Sequence, residues 1–373
     1  MAISVISSVF NSENQGRKMG FLNNKRNSEA GVTGMSLAKT GRLGTGWKVI
    51  LIVLPLVTTV LALGIGRYFI SPGEVLQAIA GRFSGHYDIA EMAYKTVWNL
   101  RIPRIILALL VGAGLSAAGC AFQSLFANPL ATPDTLGVAS GASFGAALGI
   151  LMGFDMFGMQ VVSFAMGALA VALTWLGGSG KGKGLSSVVL SGIMMGSLFN
   201  ALVSLVKYLA DAETQLPAIT YWLMGGLNTA GYRSLIFGAP PIIIGLIILM
   251  VIRWRMNLLP LSEDEAKSSG INIYRLRAVT VICATMITAS CVSMCGQVGW
   301  VGLLIPHMCR MKFGSNHLSL LPASISFGAV FMVIVDTVAR TMTASEIPVS
   351  ILTAIIGAPF FIILMRKSGG WQL

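Results

Sequence analysis

The sequence predicts an all-α membrane protein that crosses the bilayer about ten times. Three observations carry that expectation. Hydrophobic residues make up 55% of the 373 and charged residues 11%, where a soluble domain needs roughly a quarter charged to cover its surface. The apolar residues fall in blocks approaching the ~20 residues a helix needs to cross hydrocarbon. Basic residues sit in short clusters between those blocks, the pattern that sets membrane orientation rather than nucleic-acid binding, so the net charge of +12 does not point to nucleic acid. A soluble enzyme, a disordered chain and a disulfide scaffold are excluded.

Residues 1–46 are rich in Ser, Asn, Gly and Lys/Arg without apolar periodicity and read as a flexible tail, too long and polar for a cleaved secretory signal. Residues 47–373 form the membrane domain. The first span runs from Trp47 to Gly66, and the others are expected at 102–126, 135–153, 156–177, 185–210, 233–253, 275–296, 299–312, 318–340 and 347–366. A stretch at 217–228 reads as a partly buried outer helix. With the tail cytoplasmic, 18 Lys and Arg fall on inner segments and seven on outer ones (Arg67, Arg82, Lys95, Arg101, Arg104, Arg233, Arg340), with Lys207 near the outer end of its span. The bias follows the positive-inside rule and puts both termini in the cytoplasm.

Small residues mark the packing seams. Gly137, Gly141, Gly145, Gly149 and Gly153 recur every four residues, as do Ala108, Gly112, Ser116, Cys120 and Ser124. Such stripes let helices approach backbone to backbone. An internal echo pairs Ser116, Gly119, Pro129 and Gly137 with Ser293, Gly296, Pro306 and Gly314 at an offset of 177, and SFGA occurs at 143–146 and 326–329. Inverted repeats of this kind are typical of transporters.

Catalytic chemistry is not visible. The glycine-rich turn Gly177–Gly184 has the spacing G-x-x-x-x-G-K but ends in Gly where magnesium binding needs Ser or Thr, so it reads as a basic cytoplasmic turn. His86, His307 and His317 form no HExxH and no triad, which leaves a membrane enzyme without a polar cluster. Cys120, Cys283, Cys291, Cys295 and Cys309 lack CxxC spacing and read as small apolar filler, with Cys291, Cys295 and Cys309 a thiol trio to follow. Asp336 and Arg340 stand four apart and can pair across one turn. Charge at mid-depth is sparse for an ion-coupled secondary transporter, which stays the weaker alternative to a transporter whose energy comes from elsewhere.

Two polar regions stand out. The inner loop 256–277 holds Glu263, Asp264 and Glu265; Ser262 with Glu265 makes a capping box, and Gly270 is a stop signal. A short helix over 262–270, with Leu258, Leu259, Leu261 and Ala266 free to dock, would connect to a soluble partner. On the outer side Arg101 and Arg104 flank Pro103, placed to meet carboxylates.

The strings RIPRIILALLVGAGLSAAGCAFQSLFANPLATPDTLGVASGASFGA, LLPLSEDEAKSSGI, GWVGLLIPHMCR, DTVAR and EIPVSILTAIIGAPFF resemble the permease subunits of ABC importers for iron-siderophores, haem and cobalamin, over about residues 47–366. The resemblance implies a type II importer permease in the inner membrane that pairs with a second copy. It implies two cytoplasmic ATPase subunits that hold the ATP and magnesium, an extracytoplasmic binding protein, and no cofactor or catalytic residue on this chain. It places ATPase coupling on Ser262, Glu263, Asp264, Glu265, Ala266 and Gly270, and binding-protein docking on Arg101, Arg104 and Arg340. The span from Ser186 to Lys207 and the last span would line the path. The cargo expected is an iron(III)-siderophore or haem, with cobalamin or a molybdate-type oxyanion as the alternative. Gln297 and Ser350 depart from the pattern, standing where Pro and Gly are common.

Overall fold

The computed structural model describes residues 43–84, 89–178, 185–261, 265, 270–343 and 345–367. The chain divides into two compact units, Met1–Val49 and Ile50–Leu373. Of the first, residues 43–49 are described, mostly as the opening of a helix. The turn 179–184 and residues 262–264 and 266–269 of the inner loop lie outside the described residues.

Every expected span coincides with a helix. In chain order these are α1 (Thr45–Gly64), α2 (Pro72–Ser84), α3 (Glu91–Lys95), α4 (Ile102–Leu125), α5 (Val138–Leu151), α6 (Met156–Gly178), α7 (Leu185–Leu209), α8 (Gln215–Leu223), α9 (Tyr232–Ile252), α10 (Ile273–Cys295), α11 (Val301–Phe313), α12 (His317–Met342) and α13 (Val349–Lys367). Among the described residues seven helices are long and apolar enough to span a membrane, with α5 and residues 349–363 as shorter apolar pieces. The expected outer helix near 217–228 is α8, whose Ile219 is buried. Helix α2 is outside the expected spans. Its cue is local: Ser71 N–H donates to Glu74 (2.8 Å) and Glu74 N–H to the Ser71 hydroxyl (3.3 Å), a complete capping box.

Helix α4 is the axis. It packs against α9, α10, α11 and α12, while α5, α6 and α7 pack mutually beside it, joined through α10. Its close neighbours reach it through small residues. A Cβ at Gly112 would overlap the Gly328 carbonyl of α12, and one at Gly119 would overlap the Gly302 carbonyl of α11. The second seam is narrower than its spacing suggests. Gly141, Gly145 and Gly149 meet Met166, Val162 and Met159 of α6, whereas Gly137 (φ +74°) and Gly153 (φ +71°) sit at the ends of α5. Gly137 faces Gly192 and Gly196 of α7 instead. The 177-residue echo does not pair equivalent positions: Gly119 lies inside α4 and Gly296 ends α10, Pro129 is in a loop and Pro306 inside α11.

Between α3 and α4 the backbone makes a π turn at Thr96–Arg101, giving a continuous Glu91–Leu125 rod. Proline lacks an N–H and its ring collides with a carbonyl one turn back. The wide turn just before Pro103 relieves both, and π turns of this kind mark functional positions. It carries Arg101 at its end and sets Arg104 one turn further on.

Candidate functional site

Four of the seven cations predicted to face outward, Arg67, Arg101, Arg104 and Arg340, collect where the N-terminal part of α4 meets the C-terminal ends of α1 and α12. Arg104 is the hub. Its Nε donates to both oxygens of Asp336 (2.9 and 3.0 Å), Nη2 to Asp336 Oδ1 (2.8 Å), and Nη1 to Glu346 (2.8 and 2.9 Å). The fork geometry of guanidinium suits this double engagement, which Lys could not reproduce. Asp336 is buried, and its principal partner is Arg104 on α4. The turn-spaced Arg340 stands only at 4.0 Å from it and donates instead to Ala62 O at 2.5 Å.

Arg101 is 4% exposed. Its guanidinium turns inward and donates to the carbonyls of Leu63, Gly64 and Tyr68, closing the bare C-terminal end of α1. Such ends leave carbonyls without helical partners. Arg67, counted among the outer cations but given no role, is exposed and donates to Thr343 O. These groups surround a cavity of about 340 Å³ lined by Arg67, Tyr68, Arg101, Arg104, Arg340 and Glu346. Arg101, Arg104 and Arg340 oppose two carboxylates, so the cluster keeps a net positive charge. The parts a visiting protein could reach are Arg67 and Glu346, the latter 30% exposed. Glu346 lies in the EIPVS string, and the sequence held no cue that it would reach Arg104 on a distant helix.

At the opposite end lies the root of the inner loop. Of its predicted coupling residues, Ser262, Glu263, Asp264 and Ala266 fall outside the described residues, Glu265 is helical, and Gly270 has φ +70°, the left-handed conformation a helix stop uses. Leu259 is fully buried and so is not free to dock, while Leu258 and Leu261 are half-buried. The root is pinned: Ser124 donates to Met256 O (3.1 Å) and Arg277 to Leu261 O (3.2 Å).

The two departures from the family pattern both make hydrogen bonds. Gln297 Nε2 donates to Ser143 Oγ of α5 (2.9 Å), and Ser350 donates to Met224 O. All five cysteines are buried as free thiols. Cys295 Sγ donates to Cys291 O (3.0 Å), and no group of three metal-binding side chains occurs among the described residues.

A profile of the FecCD transport family matches residues 52–367. The chain belongs to the FecCD transport family. Within it, the molybdate import system permease protein of Haemophilus influenzae is 40% identical over 319 residues, covering 85% of this chain and 94% of the relative. The Fe(3+)-citrate import system permease protein of Bacillus subtilis is 35% identical over 323 residues, 85% and 93% of the two chains. A solved metal-chelate type ABC transporter in an inward-facing conformation aligns with a TM-score of 0.78 at 40% identity, over 86% of this chain and 99% of that one. This FecCD member is thus an ABC importer permease, a multi-pass protein of the inner membrane and a transport subunit rather than an enzyme.

Proposed function

We propose that the chain pairs with a second copy around a two-fold axis and carries a metal chelate, an iron(III)-siderophore or haem, inward along the interface. The observation that carries this is the bare face of α7. Ser186, Leu190, Ile193, Ser197, Asn200 and Ser204 are all exposed, and their three- and four-residue steps put them on one side of the helix. Lipid offers an Asn amide no hydrogen-bond partner, so a polar stripe on a spanning helix suits a second copy and a watery path. Helix α13 adds exposed Ile351, Ile355 and Ile362, apolar walls fit for a bulky cargo. Molybdate is the second reading, favoured by the 40% identity to a molybdate permease.

Two ATPase subunits would dock at the loop end, with Ser262 to Gly270 transmitting their movement, and both termini on that cytoplasmic side. A binding protein would dock at the arginine end. There its carboxylates would first meet Arg67 and would take the place of Glu346 on Arg104, while Arg101 and Arg340 hold the platform in shape. Membrane lipid surrounds the remainder.

The test is uptake of labelled iron-siderophore, haem, cobalamin and molybdate in cells with and without the chain, in a strain stripped of related systems. Loss of siderophore or haem uptake is expected; loss of molybdate uptake alone would move the cargo to the second reading. Reconstitution with the ATPase subunits should make transport ATP-dependent. Uptake driven by an ion gradient without ATP would overturn the importer mechanism. Replacing Glu263, Asp264 and Glu265 with Lys should uncouple ATP hydrolysis from uptake in a folded protein; unchanged coupled uptake would remove the loop from that role.

A further inference from the structure

At the loop end, a cavity of about 620 Å³ opens between the C-terminal ends of α4 and α11 and the start of α12, with Gln123, Arg310, Asn257, Asn316 and His317 on its walls. Among the described residues no Asp or Glu lines it. Among the described residues Arg310 is the full positive charge on its walls, and its guanidinium makes no hydrogen bond or ion pair with them. The remaining polar groups are held in fixed orientations, which can be worked out link by link.

Asn316 caps α12: its Oδ1 accepts from Leu318 N–H at 3.0 Å, so that atom is the oxygen. Asn257, 3.2 Å from it, must therefore present its Nδ2. That turns the Asn257 oxygen toward His317, where it accepts both the backbone N–H and ring Nδ1, each at 2.9 Å. The ring thus donates its Nδ1–H to that oxygen. His317 is 5% exposed, and its ring also has the Cys120 backbone carbonyl as a hydrogen-bond acceptor. Gln123 repeats the logic from the opposite wall. Its Nε2 donates to the carbonyls of Gly302 and Leu303, each at 3.4 Å, and its Oε1, in a residue 2% exposed, has none. Buried acceptors without donors are rare in native proteins.

The cavity thus combines one guanidinium, rich in donors, with one fixed acceptor, Gln123 Oε1, that needs a donor. We propose that it binds a phosphate group that still carries a proton. Hydrogen phosphate accepts from Arg310 through its oxygens and donates through its hydroxyl to Gln123 Oε1. Sulfate and molybdate are also tetrahedral dianions but carry no proton near neutral pH, so they would leave that acceptor empty. A site built around a hydrogen bond discriminates strongly against an analogue lacking it. The same chemistry comes from two sources, free inorganic phosphate and the phosphomonoester headgroup of phosphatidic acid. The site lies apart from the proposed cargo path along α7 and does not depend on it.

The experiment uses the full chain purified in detergent, with equilibrium dialysis against radiolabelled inorganic phosphate. Saturable binding at one site is expected, with sulfate and molybdate competing at least about tenfold less well. Arg310→Gln should weaken binding about tenfold or more, and Gln123→Met should bring phosphate and sulfate closer together. Thermal unfolding accompanies each variant, and Gln123→Met, which keeps the side-chain shape, serves if Arg310→Gln does not fold. The second arm is native mass spectrometry for co-purified phosphatidic acid. Lipid retained by the wild type and lost in the variants, without binding of free phosphate, assigns the headgroup as the source. The proposal is overturned if neither ligand binds, if sulfate matches phosphate, or if folded variants bind like the wild type.

Discussion

Helices α4 and α7 are nearly the same length and both strongly apolar: over an 18-residue stretch the mean hydropathy is 2.3 within Glu91–Leu125 and 1.9 within α7, yet 83% of the first stretch is buried against 22% of the second. Hydropathy selects what enters a membrane and is indifferent to whether protein or lipid surrounds it. What separates the two is where their small residues point. Gly112, Ser116 and Gly119 sit against the backbones of α11 and α12, whereas the polar stripe of α7 is exposed. The first helix is covered by its own chain, and the second is exposed along its polar stripe.

That contrast can be broken from either side. The largest effect should come from Gly119→Leu, because the new side chain would meet the Gly302 backbone, which cannot move aside as a side-chain tip would. Overpacking costs about 1–3 kcal/mol and more against rigid backbone. We expect loss of monodisperse protein in detergent; a wild-type thermal midpoint would show that α11 is loosely attached. Next is Asp336→Asn, which leaves Arg104 with Glu346 alone. Breaking one partner of a buried pair costs about 3–5 kcal/mol, at the low end here because Glu346 remains. The double variant Asp336→Asn with Arg104→Gln should recover part of the midpoint, and no recovery would mean that the pair is not coupled. The smallest effect on stability should come from Asn200→Leu on α7, within about 0.5 kcal/mol. Its uptake should nevertheless fall, and unchanged uptake would indicate that the polar stripe faces no path.

Much of the architecture was legible because its causes are local. Span length, the stops at Gly296 and Gly314, and the four-residue glycine seams follow from helix geometry and glycine's freedom at positive φ. Both ends of the α5 stripe also had to be glycine, for the reason of backbone conformation rather than packing, and spacing cannot tell those two uses apart. Helix α2 was equally local, written in the capping box at Ser71 and Glu74, but a search for long apolar blocks passes over it.

The arginine end was legible only as a set of charges on one side of the membrane. Sequence by itself determined an all-α membrane bundle, the order of its apolar helices, its family, and which residues are ionisable. Only the tertiary structure decided who neutralises whom. Asp336 belongs to Arg104 across helices, Glu346 completes that hub, and Arg101 serves the carbonyl end of α1. The orientation of Asn257, Gln123 and His317 around Arg310 was likewise invisible. The physical reason is that apolar patterning is additive along one helix, whereas hydrogen-bond partners are chosen by the approach of helices distant in the chain.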